Sequence, residues 1–473
     1  MTKYLRREFL GIASVSVAAP FIVPFSVLGR GGEVAPSERI TMGLIGCGSH
    51  GAGWNLNLMF KNPMQQVVAV CDVDQNYLNN TQKKVNDFYS QKSDQTYKGC
   101  DKYEDFRDLI NRKDIDAVDI VTPDHWHVLL SVFAMKAGKD VICEKPTLTI
   151  KEGRILSDVQ KTTQRVYQTA SENRSVDVYQ QMVNLARNGR LGEIRRIKVI
   201  LPKGSTTNRD PMKRQTNFSV AEIPKHIDYE KWSGPAPVLP FIPARHHYNW
   251  RWNFAYSGGV LTDWGSHLVN IAQWALNTDD TGPVEAQAKE WFMPPFDDVW
   301  NTAETFNIAY QYKSGIALEV FTENPSTEAV KIEGTKGWVL SRGWRQPLQA
   351  SDENLLKIKF DNLTPTNVNY GRPESTVLAK DKGWAGGEHI DFSLRVKDRK
   401  ECYYTAECGN RNHAIAHLGN ISMLLGGAKL QWNPEKETFE GERAEEANKH
   451  FCVEREQRDP WTFEKVDSWI NVG

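Results

Sequence analysis

The rhythm of apolar and polar positions changes once along the chain, near residue 175. Before that point, short apolar runs at 41–45, 67–71, 117–121, 139–143 and 166–169 read as strands. Between them, helical periodicity covers 54–59, 103–110, 128–137 and 153–164, and Gly138 is placed to end one helix as a C-cap. Strands alternating with helices of this length predict a parallel, doubly wound Rossmann sheet. Ligands of such sheets sit beyond the carboxyl ends of the strands. After a helix at 177–187 the period becomes two. Runs at 192–201, 286–291, 304–312, 315–322, 328–333 and 338–341, with a tight turn at Gly334 to Gly337, predict a large, mainly antiparallel sheet in an α+β domain. Further helices are expected at 388–396, 414–425 and 444–451, and the stretch 202–256 is irregular.

The expected division is therefore 1–38 as signal and linker, 39–172 as the nucleotide-binding domain, 173–430 as the substrate-binding domain, and 431–473 as an extension packed on the body. Arg6 and Arg7 precede an uncharged, mostly apolar stretch from Gly11 to Leu28, and Gly31, Gly32 and Pro36 follow. A basic start and an apolar middle describe an export signal. The paired arginines resemble a twin-arginine signal, which implies the twin-arginine export machinery as a partner and a periplasmic location. Retention by an uncleaved anchor is the alternative.

Charge adds an exclusion. With 58 basic and 59 acidic residues, the chain lacks the basic face of a general nucleic-acid binder. Seven cysteines show no disulfide framework, and Cys402 with Cys408 is the one candidate pair. His125, His127, His246 and His247 have no metal-ligand spacing, so no metal is expected. Fifteen tryptophans suit the apolar faces of sugar rings as well as a large core.

Gly46, Gly48 and Gly51 form G-x-G-x-x-G directly after the first strand, with Ser49 and His50 inside the turn. Such glycines serve a tight turn, close approach of a pyrophosphate, and packing of helix on strand. Asp72 ends the second strand, where a carboxylate can bond an adenosine ribose, and Asp74 can share that role. No Arg or Lys accompanies them in CDVDQ, which favours NAD over NADP. Further on, Tyr248, Asn249, Trp250 and Arg251 mix aromatic with polar groups in a way that can clamp a glycosyl ring.

Four segments carry a family resemblance: TPDHWH at 122–127, CEKP at 143–146, ENRS at 172–175, and GGVLTDWGSHLVNIAQWAL at 258–276. With the glycine turn they resemble the Gfo/Idh/MocA family of nicotinamide-dependent sugar and polyol oxidoreductases, over roughly residues 40–460. The resemblance implies a cofactor wall at Thr122, Pro123, His127 and Glu144, with Asn173 on the substrate side. It places Lys145 between cofactor and substrate, with a cis bond before Pro146, and Asp263 and His267 as the distal carboxylate and histidine. It also implies a homo-oligomer. Asp124 departs from the Asn that relatives commonly carry.

Oxidising a sugar alcohol requires removal of its hydroxyl proton, and imidazole, with an intrinsic pKa of about 6.5, suits that task. His267 is the expected base and Lys145 its partner, with the two roles exchangeable. A spacing of four puts Asp263 on the same helical face, to orient the imidazole or to bind a neighbouring hydroxyl. Three functions follow: an NAD-dependent dehydrogenase for a sugar or glycoside hydroxyl, a redox-neutral enzyme that cleaves or epimerises glycosides through a transient keto-sugar, or a non-catalytic sugar-binding protein.

Overall fold

The computed structural model describes residues 34–91, 97–204, 217–323, 328–360 and 387–470, so the expected export signal lies outside the described residues. Six strands form the first sheet: β1 (Ile40–Ile45), β2 (Gln65–Cys71), β3 (Asp101–Tyr103), β4 (Ala117–Ile120), β5 (Asp140–Glu144) and β6 (Tyr167–Ala170). Their order is β3-β2-β1-β4-β5-β6 and every pairing is parallel. Helices cover both faces, which explains why the strands read as continuous apolar runs. Met42, Leu44, Val67, Val70 and Ile142 are almost wholly buried. The chain order reverses between β1 and β4, and a crevice opens there.

One long element escapes the apolar pattern. The helix Gln75–Ser90 buries only Leu78, Thr81, Val85 and Tyr89, and polar residues fill the rest. Its start is written chemically instead: the Asp74 carboxylate accepts from the backbone N–H groups of Asn76 and Tyr77. Similarly, the helix expected from 414 begins eight residues earlier, as Ala406–Leu424, capped by Thr405.

The second sheet has nine strands: β7 (Ile194–Leu201), β8 (Glu285–Phe292), β9 (Thr305–Gln311), β10 (Ala317–Thr322), β11 (Ala329–Gly334), β12 (Gly337–Ser341), β13 (Gln349–Ala350), β14 (Leu430–Asn433) and β15 (Thr438–Glu440). The order is β13-β12-β11-β7-β10-β9-β8-β14-β15, antiparallel except for the β7–β10 pair. Ile197, Val199, Ile308, Leu318, Val320 and Ile332 share one buried core with residues of the helices Asp177–Arg187, Gly265–Leu276 and Ala406–Leu424. Arg196, Lys198, Glu319 and Glu333 pair across strands on the alternate positions.

The expected boundary at 430 is corrected, because β14 pairs with β8 and extends the sheet. The last turns do pack on the body: Trp461, Val466 and Trp469 join the first domain's core beside Phe106, Trp126 and Phe133. Arg154 ties the two domains together, pairing with Glu407 at 2.7 Å and Glu437 at 2.9 Å. The Cys402–Cys408 pair does not form, and all seven cysteines are free. Cys402 packs in the core with Ile142 and Phe392, whereas the first turn of its helix holds the Cys408 thiol at the Thr405 hydroxyl.

Candidate active site

The glycine turn divides its labour as the sequence suggests. Gly46 has φ +99°, and a Cβ there would lie 2.4 Å from the Val121 carbonyl oxygen. A Cβ on Gly51 would lie 2.0 Å from the Gly46 oxygen. At Gly48 a Cβ would meet nothing within 4 Å, so the space beside this turn is open to a diphosphate. A π-helical turn, Gly51–Asn55, leads into the helix Leu56–Lys61. Asp72 ties β2 to the turn by accepting from the N–H of Cys47 at 2.6 Å and of Asp74 at 2.8 Å. Burial pushes its carboxyl up to about 6, against those two hydrogen bonds.

Asp74 does something different from sharing a ribose. Besides capping its helix, it faces His247 Nε2 at 3.3 Å and His226 Nε2 at 3.6 Å. Backbone bonds from Gln75 N–H to the His226 oxygen, and from Asp228 N–H to the Val73 oxygen, fasten the same segment. The irregular segment of the second domain that carries His226, Asp228 and His247 thus roofs the crevice beside the end of β2, where Lys231, Trp232 and His247 line it. Sequence reasoning missed this contact, since nothing local in the histidines announces their partner.

Below the roof is one cleft of about 430 Å³. Every residue expected to hold the cofactor lines it: Gly46, Gly48, Ser49, His50, Gly51, Asp72, Thr122, Pro123, His127, Glu144 and Lys145. So do Tyr248, Trp250, Arg251, Asp263 and His267. Asn173 and Asn249 do not, and the expectation that they bind substrate is corrected. Asn173 is fully buried and donates to the His267 backbone oxygen at 2.9 Å. Asn249 is fully buried and accepts from the Trp252 indole at 3.2 Å. Trp264 and Trp344 also line the cleft, with the Trp344 ring centroid 6.2 Å from that of His267.

Lys145 leaves the end of β5, where its peptide bond to Pro146 is cis, as the resemblance implies. Its Nζ donates to Asp263 Oδ1 at 2.5 Å and to the Asp263 backbone oxygen at 3.2 Å. Arg251 Nε is 3.7 Å from Asp263 Oδ2, and its guanidinium lies over the rings of Trp250 and Tyr248 at 4.3 and 4.4 Å. Burial works against both charges. Lys145 and Arg251 nevertheless hold the Asp263 carboxyl well below the usual range, and Asp263 and Glu144 hold the Lys145 ammonium above its ordinary value.

His267 is not oriented by Asp263. Its Nδ1 faces Ser171 Oγ at 3.2 Å and Glu172 Oε2 at 3.8 Å. Lys145 takes Asp263 instead, although both Asp263 and His267 reach the cleft as their spacing predicts. Burial, reinforced by Lys145, lowers His267 to about 3, so its imidazole is neutral at pH 7. His127 is braced, with Nδ1 2.9 Å from the Pro146 oxygen and Nε2 2.8 Å from the Thr122 oxygen. His50 Nε2 meets Glu144 Oε1 at 3.0 Å, and despite burial this contact pulls the Glu144 carboxyl down to about 2. Asp124, 3% exposed, accepts from the Ser257 hydroxyl at 2.6 Å, and burial pushes its carboxyl up to about 8. A carboxyl held neutral in this way is closer to the expected Asn than its formal charge suggests.

Comparison with known proteins identifies relatives of the chain. A glycosyl hydrolase family 109 protein 2 from Shewanella sp. (strain ANA-3) is 32% identical over 210 residues, which is 41% of this chain and 45% of that protein. An inositol 2-dehydrogenase from Rubrobacter xylanophilus is 34% identical over 110 residues, 23% of this chain and 28% of that protein. The chain thus spans less than half the length of these relatives. The WlbA dehydrogenase of Bordetella pertussis, solved with NADH and UDP-GlcNAcA, shares the fold at a TM-score of 0.59 and 16% identity, covering 84% of this chain and 98% of that one. Residues 40–171 match the Gfo/Idh/MocA oxidoreductase family's NAD-binding Rossmann fold, and residues 178–366 match its C-terminal alpha/beta domain. These two matches cover more than half of the chain and part where its two sheets part, and the chain belongs to the Gfo/Idh/MocA oxidoreductase family.

Proposed function

We propose that the protein is an NAD(H)-dependent oxidoreductase acting on a hydroxyl of a sugar or glycoside. The observation that carries this reading is the convergence of Lys145, Asp263 and His267 on one cleft that begins at an open glycine turn. The backbone of the turn and the space at Gly48 receive the diphosphate, and Asp72 faces the ribose. Bound NAD supplies the hydride acceptor. The neutral His267 imidazole accepts the hydroxyl proton. The Lys145 ammonium, kept charged by Asp263, stabilises the oxygen as that proton leaves. Arg251 offers hydrogen bonds to the sugar, and Trp264 and Trp344 offer apolar faces.

A redox-neutral variant is favoured by the roof over the crevice, which opposes cofactor exchange. The name of the Shewanella relative points the same way. Oxidation two carbons from the anomeric carbon acidifies the C–H between them. That proton is removed, the aglycone leaves as an alcohol by elimination, water adds to the resulting double bond, and the hydride returns to the ketone. Arg6, Arg7 and the apolar stretch after them support export by the twin-arginine route, and a periplasmic enzyme with little free NAD to exchange suits a retained cofactor. Self-association through the second sheet is supported by Phe292 and Phe296, exposed at and just beyond the end of β8.

The test is to denature purified protein, assay the supernatant for NAD(H), and offer sugars and glycosides to the native protein. Empty protein that reduces added NAD supports the dehydrogenase. Retained NAD(H), with glycoside cleavage and no net NADH, supports the redox-neutral cycle. NAD-loaded protein that transforms no sugar or glycoside in either mode overturns both.

A further inference from the structure

Three consecutive residues at the end of β6 address one histidine. The Ser171 hydroxyl and the Glu172 carboxylate face His267 Nδ1 at 3.2 and 3.8 Å, and the Asn173 amide holds the His267 backbone oxygen at 2.9 Å. With Nδ1–H directed at Ser171 and Glu172, Nε2 keeps the free lone pair, on a ring that lines the cleft. An imidazolium formed there is poorly placed, because the ring is buried and Lys145 is close. Accepting a proton at Nε2 is easier if the proton at Nδ1 moves on.

The geometry points to Glu172 as a proton-relay and positioning residue, which takes the Nδ1 proton of His267, directly or through the Ser171 hydroxyl, when Nε2 accepts the substrate's. This rests on the proposed oxidation of a sugar hydroxyl. The balance is complete: the hydride leaves with the cofactor, and the hydroxyl proton is matched by one arriving on Glu172, so His267 ends neutral. Glu172 is 8% exposed. Glu144, His50 and Lys145 face it from the first domain. Tyr179, Tyr403 and Glu388 face it from the second. Gly387 packs against Ser175, just after the Glu172 turn, and the neighbouring Glu388 leaves its buried Oε2 without a hydrogen-bond partner. Burial, with Glu144 adding, raises the Glu172 carboxyl to about 7, where it can both give and take a proton.

The experiment compares NAD-loaded wild-type protein with Glu172→Gln and Glu172→Asp. Infrared difference spectra, taken from mildly acidic to mildly alkaline pH, should show loss of a protonated-carboxyl band in wild type that is absent from Glu172→Gln. Turnover of wild type should fall on the acid side of about pH 7. Glu172→Gln should lose that limb and about 100-fold in turnover, with KM and NAD affinity little changed. Glu172→Asp should recover part of the turnover and the limb. An unchanged band in Glu172→Gln, a retained acid limb, or an effect confined to KM overturns the relay. If wild type oxidises no sugar, the proposed function fails, and the infrared comparison alone still decides whether Glu172 exchanges a proton near neutrality.

Discussion

Replacing Asp263 with Asn tests the charge balance of the cleft most directly. The substitution keeps the volume and removes one negative charge. The Lys145 and Asp263 side chains are only 9% and 13% exposed, so Lys145 cannot recover its hydration by moving. Breaking a buried pair by deleting one partner costs about 3–5 kcal/mol, and here Arg251 adds a second stranded cation. The pH dependence follows from the directions of the shifts. The folded Asp263 carboxyl is depressed, so its contribution is present above the unfolded value of about 3.9 and lost as the pH falls through the folded one. The folded Lys145 ammonium is raised, so its contribution is present below about 10.4 and lost as the pH rises through the folded value. In Asp263→Asn the lysine pKa drops, and the variant gains stability as alkali removes that proton. The gap between the two proteins should therefore be widest near neutrality and narrow in both directions. Urea unfolding across pH, followed by tryptophan fluorescence, measures it. A gap under about 1 kcal/mol at pH 7, typical of an exposed pair, or one flat with pH, would refute the reasoning.

Four further outcomes are expected. His267→Ala should cut turnover by about 100- to 10,000-fold with NAD binding nearly intact, measured on folded, NAD-loaded protein. Asp72→Ala should weaken NAD and narrow its advantage over NADP in calorimetric titrations, since a hydrogen-bonding carboxylate and its repulsion vanish together. Gly48→Ala, where a Cβ meets nothing within 4 Å, should leave the melting temperature almost unchanged while reducing NAD affinity. Gly51→Ala, where a Cβ would stand 2.0 Å from a backbone oxygen, should lower the melting temperature of the cofactor-free protein as well.

The parts legible in the sequence share a physical cause: each is specified locally. A strand buried on both faces writes itself as an apolar run, and its end is marked by a residue that has no place in a core, such as Asp72 or Lys145. The glycine turn is local in its Gly46–Gly51 contact, where a Cβ on Gly51 would strike the Gly46 oxygen, whereas the demand on Gly46 itself comes from Val121 at the end of β4. The helix Gln75–Ser90 stayed hidden because four buried positions in sixteen residues make too thin a stripe, although its Asp74 cap was in plain view. Asn173 and Asn249 looked like ligands because polar residues among aromatics suggest a sugar. Their amides instead satisfy a carbonyl and an indole that burial had stripped of water, a need invisible until the packing is known.

Pairings between the domains were the least legible, and they decide the chemistry. Lys145 belongs to the first sheet, whereas Asp263 and His267 belong to the second domain, so neither domain alone contains a charged lysine facing a neutral imidazole. The same docking sets both protonation states. It brings Asp263 to Lys145, which keeps the ammonium charged, and it buries His267 with Lys145 close by, which keeps the imidazole neutral. Arg154, held between Glu407 and Glu437, and the His226 and His247 contacts on Asp74 add ties between the two domains. A spacing of four between Asp263 and His267 could suggest that they act together. Which of them meets the lysine follows from how the two sheets are brought together, and that depends on contacts spread over 300 residues of chain.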